Sequence, residues 1–350
     1  MIDLLVLWSW EHDADFAALL QQACDARGVL MRSVGEDKLK TLPAALASGE
    51  LRARCLIDRV WDWGGDWENH VPAVKAHVPH VLNPFDLVRP AWNKPHVHFQ
   101  LIGHGLHAPH LIIVPAVQNL PNPTEVDLAP LGGKFSIKSA HSGGSGVIKP
   151  ATTWAEVLAK RTEWPHDETL AQTWVEPRLL RVPKADRDEI KPDDDLPPFL
   201  RQSLQTLSAN NNMFSERSKP MGAVDELPPD QTQKRAWFRI FYACGSTFLC
   251  WQDDQTHLQT PVTQEEETRF GLNVLRGMVQ QIANICGLNL FSTEIALDQN
   301  NVWQVVDYVN DPCDYRLQSK AREGVPDVVV KGVCERIAGW VKRQSHRAAE

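Results

Sequence analysis

The strongest constraint on this chain is the alternation within its first 90 residues. Three apolar runs have strand length: IDLLVLWS from residue 2, VLMRSVG from residue 29 and RCLIDRVW from residue 54. Between and after them, DADFAALLQQACDARG, EDKLKTLPAALASGEL and WENHVPAVKAHV carry apolar residues at helical spacing, and Gly28 stops the first of these helices. Strand and helix in alternation predict a parallel sheet with helices on its faces. No G-x-G-x-x-G follows the first strand, so a dinucleotide-binding reading lacks its main support.

The pattern then changes. Residues 90–115 read as a loop, a short helix, a glycine-rich stop and a strand. Residues 131–180 hold short strands around one helix, TTWAEVLAKRTEW, with Thr153 and Glu156 spaced as a capping box. Residues 181–235 are dense in proline, aspartate and asparagine, which predicts a long polar insertion with a helical turn near PPFLRQSLQTL. AWFRIFYACGSTFLCWQ predicts a hairpin turning at Gly245-Ser246. One long amphipathic helix follows from Gln264 to Cys286, stopped by Gly287. LNLFSTEIAL, DQNN and VWQVVDYV then read as strand, turn and strand, before a last helix over VPDVVVKGVCERIAGWVKR.

Composition removes several classes of function. A net charge of −8 over 350 residues suits general nucleic-acid binding poorly. No apolar run approaches the ~18 residues of a membrane span. The start MIDLLVLWSWEHD lacks a basic region and runs into acids, so it reads as a buried strand rather than a signal peptide. Seven scattered cysteines without C-x-x-C predict reduced, cytoplasmic thiols. Neither they nor the histidines between 70 and 110 match a zinc-ligand pattern.

Three features carry chemistry. The loop Ser142, Gly143, Gly144, Ser145, Gly146 joins two strands, so it is not a Walker loop. Alone it is a hairpin turn, although small residues also let backbone N–H groups wrap a phosphate. Glu294 and Asp307 lie on consecutive strands. A turn centred on Gln299-Asn300 sets 294 opposite 305 and makes the two acids diagonal neighbours on one face. They are then either solvent-facing acids or a pair for one cation, such as magnesium carried by a nucleotide. Lys94, Lys138 and Arg239 supply positive charge, Arg239 from the aromatic strand WFRIFY, where an arginine requires an anionic partner.

In order and spacing these features resemble the ATP-grasp superfamily, of the carboxylate–amine ligase type. The matching positions are Lys94 in WNKPHVHFQL, Lys138 in FSIKSAHSGGSGV, Glu176 in TWVEPRLL, Arg239 in WFRIFYACG, Glu294 in LFSTEIAL, and Asp307 with Asn310 in VVDYVND. The resemblance spans roughly residues 80–316. It implies an N-terminal parallel α/β pre-domain over 1–90 and two antiparallel-sheet subdomains, 91–178 and 179–350, that sandwich ATP. It further implies adenine against Trp174, Val175 and Glu176, phosphates on Lys94 and Lys138, and the 142–146 loop closing above them. Glu294, Asp307 and Asn310 would hold Mg²⁺, and Arg239 would steady an acylphosphate.

Two residues separate Asp307 from Asn310 where many such proteins have one, and glutamate stands at 294 where aspartate is frequent. On a regular strand Asp307 and Asn310 face opposite sides. A bend near Val309 is therefore expected, or else Asp311 or Asp314 completes the site. The insertion follows the hinge directly, so the ribose contact is unassigned. The implied reaction joins a small-molecule carboxylate to an amine. A small-molecule kinase, with Arg316, Lys320 and Arg322 receiving a polyphosphate, and a non-catalytic nucleotide-binding protein are the alternatives. Trp61, Trp63 and Trp67 are candidates for the acceptor pocket, at the carboxyl edge of the first sheet. Such proteins are often homodimers.

Overall fold

Strand β1 (Ile2–Leu7) is buried along its last four residues, as a central strand of a covered sheet must be. The computed structural model describes residues 1–60, 70–141, 150–183 and 231–347. Trp61, Trp63, Trp67, the loop residues Ser142 to Gly146 and the insertion between 184 and 230 lie outside them. β1 pairs in parallel with β2 (Met31–Val34) and β3 (Ala53–Asp58), and β3 with β4 (His80–Leu82), giving the order β2-β1-β3-β4. This is the parallel sheet that the alternation predicts. α1 (Asp13–Asp25), α2 (Glu36–Leu39), α3 (Leu42–Ala47) and α4 (Val71–His77) connect its strands. The single helix expected over 36–51 is two, because Pro43 fits only a first helical turn and so opens α3. β4 has three residues, too few to show a period. α5 (Phe85–Trp92) has Pro90 inside it and runs into the start of the stretch expected to be loop.

α6 (Lys94–Gly103) leads to a three-stranded antiparallel sheet of β5 (Leu111–Val114), β6 (Phe135–Ser139) and β7 (Thr169–Thr173), in the order β5-β7-β6. α7 (Trp154–Arg161) packs on it and begins with the expected Thr153/Glu156 capping box. β8 (Leu179–Pro183) and β9 (Gln231–Arg235) pair from Leu179↔Arg235 to Pro183↔Gln231. Residues 181–183 and 231–235, read in sequence as insertion, are therefore strand. Their ladder brings the two ends of the excursion together.

The third sheet is antiparallel and five-stranded: β10 (Trp237–Ala243), β11 (Ser246–Gln252), β12 (Gln259–Pro261), β13 (Leu290–Leu297) and β14 (Trp303–Asn310), in the order β12-β11-β10-β13-β14. Ala243 pairs with Ser246, so the hairpin turns at Cys244-Gly245, one residue earlier than expected. Both residues have positive φ, +50° and +90°, which a two-residue turn of matching twist demands. The long helix expected from Gln264 to Cys286 is also two, α8 (Gln264–Phe270) and α9 (Asn273–Cys286). Gly271 adopts φ +64° and closes α8. Gly287 ends α9 as expected.

Period-two alternation divides the faces of this sheet. Phe238, Ile240, Phe291, Ile295 and Val305 pack with Val97 and Leu101 of α6 and Val279 and Ile282 of α9. On the opposite face, Phe241 joins a core shared with the first sheet. α10 (Asp327–Arg347) runs back into that core, where Val330, Val333 and Ile337 cluster with Leu4, Phe16 and Leu20. The N- and C-terminal parts of the chain thus share one apolar core, beside the cleft between the two antiparallel sheets. All seven cysteines are free thiols. Among the described residues no helix is long and apolar enough to cross a membrane.

Candidate functional site

Alternation on β10 turns Trp237 and Arg239 away from the Phe238/Ile240 core. Arg239 pairs in register with Glu294. Its Nη1 donates to Glu294 Oε1 (2.7 Å) and its Nη2 to Ser292 Oγ (2.9 Å), while Trp237 Nε1 donates to Glu294 Oε2 (3.1 Å). Burial weakens the charge on Arg239, but Glu294 and Asp307 more than offset it and raise its pKa.

The β13–β14 hairpin differs from the expected register. Leu297 pairs with Trp303 and Ile295 with Val305, around a longer loop in which the Asp298 carboxylate accepts from the N–H groups of Asn300 and Val302. Two register shifts follow, so that Glu294 pairs with Asp307 and Ser292 with Asn310. Glu294 and Asp307 are direct partners rather than diagonal neighbours. The second shift supplies the bend expected near Val309. It brings Asn310 onto the cleft face, with Nδ2 2.9 Å from Asp307 Oδ2.

A bulge takes a residue out of the regular ladder. The carbonyl of Val306, between the two paired segments, accepts from Lys138 Nζ (3.0 Å). Lys138 comes from β6 in the other sheet and is 8% exposed, so this bond spans the cleft. Lys94 opens α6, and its N–H donates to the carbonyl of Ala140 just past β6 (3.0 Å). Burial depresses the Lys94 pKa, and Lys138 adds to this; Asp307 and Asp167 act against it. Burial works against the charge of Asp307. Lys138, Lys94, Arg239 and the Asn310 hydrogen bond outweigh it, and the carboxyl is held below the ordinary range. Three cations from three elements thus converge on one ionised carboxylate.

At the other end, Trp174, Val175 and Glu176 follow β7. The Trp174 N–H donates to the Lys134 carbonyl (3.2 Å), and Val175 packs on Ala296, Val306 and Trp237. Glu176 accepts from Arg235 Nη2 (2.9 Å), and Arg235 Nε lies 2.6 Å from Asp254 Oδ1. A cavity of about 1220 Å³ runs between the sheets. Lys94, Lys138, Trp174, Val175, Glu176, Arg239, Glu294, Asp307 and Asn310 all line it. These nine candidate residues therefore share one cleft, whereas Lys320 and Arg322 do not line it.

Sequence reasoning missed several others. Arg235 lay in the stretch read as insertion, and Asp254 sits in the connection to β12. Trp237 was legible, two residues before Arg239 on the same strand face. His141, two residues past β6, also lines the cleft. Of the alternatives to Asn310, Asp311 accepts from Asn83 Nδ2 (3.1 Å) and Asp314 is gripped by Arg316 (2.6 Å). Both line the same cleft, each carboxylate held by that partner.

No protein-family model matches the chain, and no curated protein does. Solved structures do match over nearly its whole length. The ATP-grasp ligase PsnB, complexed with minimal precursor, Mg and ADP, superposes with a TM-score of 0.55 at 12% identity, covering 98% of each chain. The chain has the ATP-grasp fold. D-alanine–D-alanine ligase from Bacillus anthracis gives a TM-score of 0.57 at 8% identity, covering 99% of this chain and 100% of that one. D-cycloserine synthetase DcsG gives 0.54 at 13%, covering 97% and 99%. The four-stranded parallel sheet comes first in the chain, and the three- and five-stranded antiparallel sheets flank the cleft.

Proposed function

We propose that the chain is an ATP- and Mg²⁺-dependent ligase that joins a carboxylate to an amine. One observation carries the reading: Lys94, Lys138 and Arg239 converge on Asp307, with Glu294 and Asn310 beside it, in a cleft between two sheets. Among the described residues no three His, Cys, Asp or Glu side chains form a metal cage. Magnesium that arrives with phosphates needs only one or two carboxylates, which suits Asp307 and Glu294. Bound MgATP supplies a phosphoryl group that converts the carboxylate to an acylphosphate with release of ADP; the amine then displaces phosphate to form the amide.

The chain's own residues orient and neutralise. Lys94 and Lys138 offset phosphate charge within a partly desolvated cleft. Asp307, Glu294 and Asn310 supply oxygen ligands. Arg239, next to the metal-holding pair, faces the reacting carboxyl. Trp174, Val175 and Glu176 form the adenine wall. In this reading residues 1–90 face the acceptor, 91–178 form the lid and 179–350 the floor. Two of the three basic residues that would favour a kinase are already paired, Arg316 with Asp314 and Lys320 with Asp15.

The test is incubation with MgATP, a pool of carboxylic acids and hydroxylamine. A hydroxamate with stoichiometric ADP supports the ligase. ADP with a phosphorylated alcohol and no hydroxamate assigns a kinase instead.

A further inference from the structure

His141 lies two residues past the strand that carries Lys138, and both of its ring nitrogens are committed. Nδ1 lies 2.7 Å from Asp167 Oδ1. An ionised carboxylate only accepts, so Nδ1 carries a proton. Asp167 is fixed in turn by the Ser139 hydroxyl and by the backbone N–H of His141 (2.9 Å). Nε2 lies 3.0 Å from Asn93 Nδ2. The Asn93 amide has one possible orientation, because its Oδ1 accepts the His96 N–H (2.8 Å) as the cap of α6. Its NH₂ end therefore faces the imidazole and can only donate. Nε2 must accept, and the ring in this arrangement is neutral. A second proton would set N–H against N–H.

The electrostatics favour that second proton. The hydrogen bond to Asp167 is the main cause of a raised His141 pKa, and Glu168 adds to it; burial and Lys94 oppose. Asp167, despite its partial burial, is held down to about 2 by His141 and Ser139 and stays ionised. The charged groups facing the ring are thus Asp167 and Glu168 from the segment entering β7 and Lys94 from α6. What keeps the ring neutral is the Asn93 donor. An anion in place of that donor removes the obstacle.

We propose that His141 binds a phosphate oxygen of the nucleotide as an imidazolium, exchanging Asn93 for the anion at Nε2 and taking up a proton as it does so. This rests on the ATP reading of the cleft, and makes nucleotide affinity depend on pH through a residue outside the metal-holding set. The Asn93 amide, still oriented by its cap, keeps a donor for the same anion.

The experiment is calorimetric titration of the full chain with MgADP at about pH 7.5, in buffers of low and high ionisation enthalpy. Wild type is expected to take up a large fraction of a proton. His141→Gln should still bind, but without that uptake. It should be several-fold weaker than wild type near pH 6.5 and equal to it near pH 9. His141→Lys, with a permanent charge, should bind like wild type with no uptake. Uptake unchanged in His141→Gln would place the proton elsewhere, on Lys94 with its own depressed pKa, and overturn the inference. So would equal affinity of wild type and His141→Gln at every pH. Absence of MgADP binding by folded wild type would instead overturn the ATP reading itself.

Discussion

Glu294 and Asp307 are direct cross-strand partners only because β14 carries an extra residue between Val305 and Asp307. In the regular register set by Leu297↔Trp303 and Ile295↔Val305, Asp307 would fall opposite Thr293, on the face buried against α6 and α9. A one-residue slip exchanges faces. The shift at Val306 turns Asp307 into the cleft, and the second shift does the same for Asn310. The site is therefore built by two irregularities in a single strand.

Asp307→Asn keeps the shape and removes the charge that Lys94, Lys138 and Arg239 face. Turnover is expected to fall about 100-fold or more. Three cations would be left without their shared anion, so stability should fall by about 3 kcal/mol. Urea denaturation alongside steady-state ADP release separates the two effects. Unchanged stability would show that the cations do not depend on Asp307.

His98 couples the lobes. Gln172 Nε2 of β7 donates to the Tyr308 hydroxyl of β14 (3.0 Å), which lies 2.7 Å from His98 Nδ1 of α6. Burial lowers the His98 pKa from 6.5 to about 4, and His110 adds to the shift. A base with a depressed folded pKa binds fewer protons folded than unfolded, so stability falls as pH drops from about 6.5 to about 4. The loss is on the order of 3 kcal/mol. Melting curves across that range should show a steeper decline for wild type than for His98→Gln. Parallel declines would contradict the assignment.

Two glycines should respond oppositely to alanine. A Cβ on Gly324 would stand 2.5 Å from the Arg316 carbonyl oxygen and 2.8 Å from that of Ala321, both backbone atoms that cannot swing away. Gly324→Ala should cost about 1–3 kcal/mol and disturb the cleft wall at Arg316 and Val325. Gly277, exposed within α9, has no atom within 4 Å of such a Cβ. Gly277→Ala should stabilise by about 0.5–1 kcal/mol. Thermal melting of both variants checks the pair.

Much of this fold was legible in the sequence because its periods are clean. The parallel alternation, the Thr153/Glu156 box and the Gly287 stop depend on local chemistry and appear as expected. Breaks inside periodic segments were harder to see. Gly271 and Pro43 each split a helix whose apolar spacing continues across the break, and β4 is too short to carry a period. At the site, residue types and order sufficed to collect Lys94, Lys138, Arg239, Glu294 and Asp307. The face shared by Glu294 and Asp307 was inferred from a register that the hairpin does not use. The longer loop and the bulge offset each other, and neither leaves a mark in composition. His141 was missed because its role depends on Asn93 and Asp167, each more than 25 residues away in the chain.

The central claim is that this cleft holds MgATP through Lys138 and Asp307. Equilibrium dialysis of labelled ATP, with and without Mg²⁺, tests it most directly, using wild type, Lys138→Ala and Asp307→Asn, each shown to be folded by a cooperative melt. The account predicts saturable, Mg²⁺-dependent binding by wild type, weakened by about tenfold or more in each variant. Folded wild type that binds no ATP, or variants that bind it as wild type does, would contradict it.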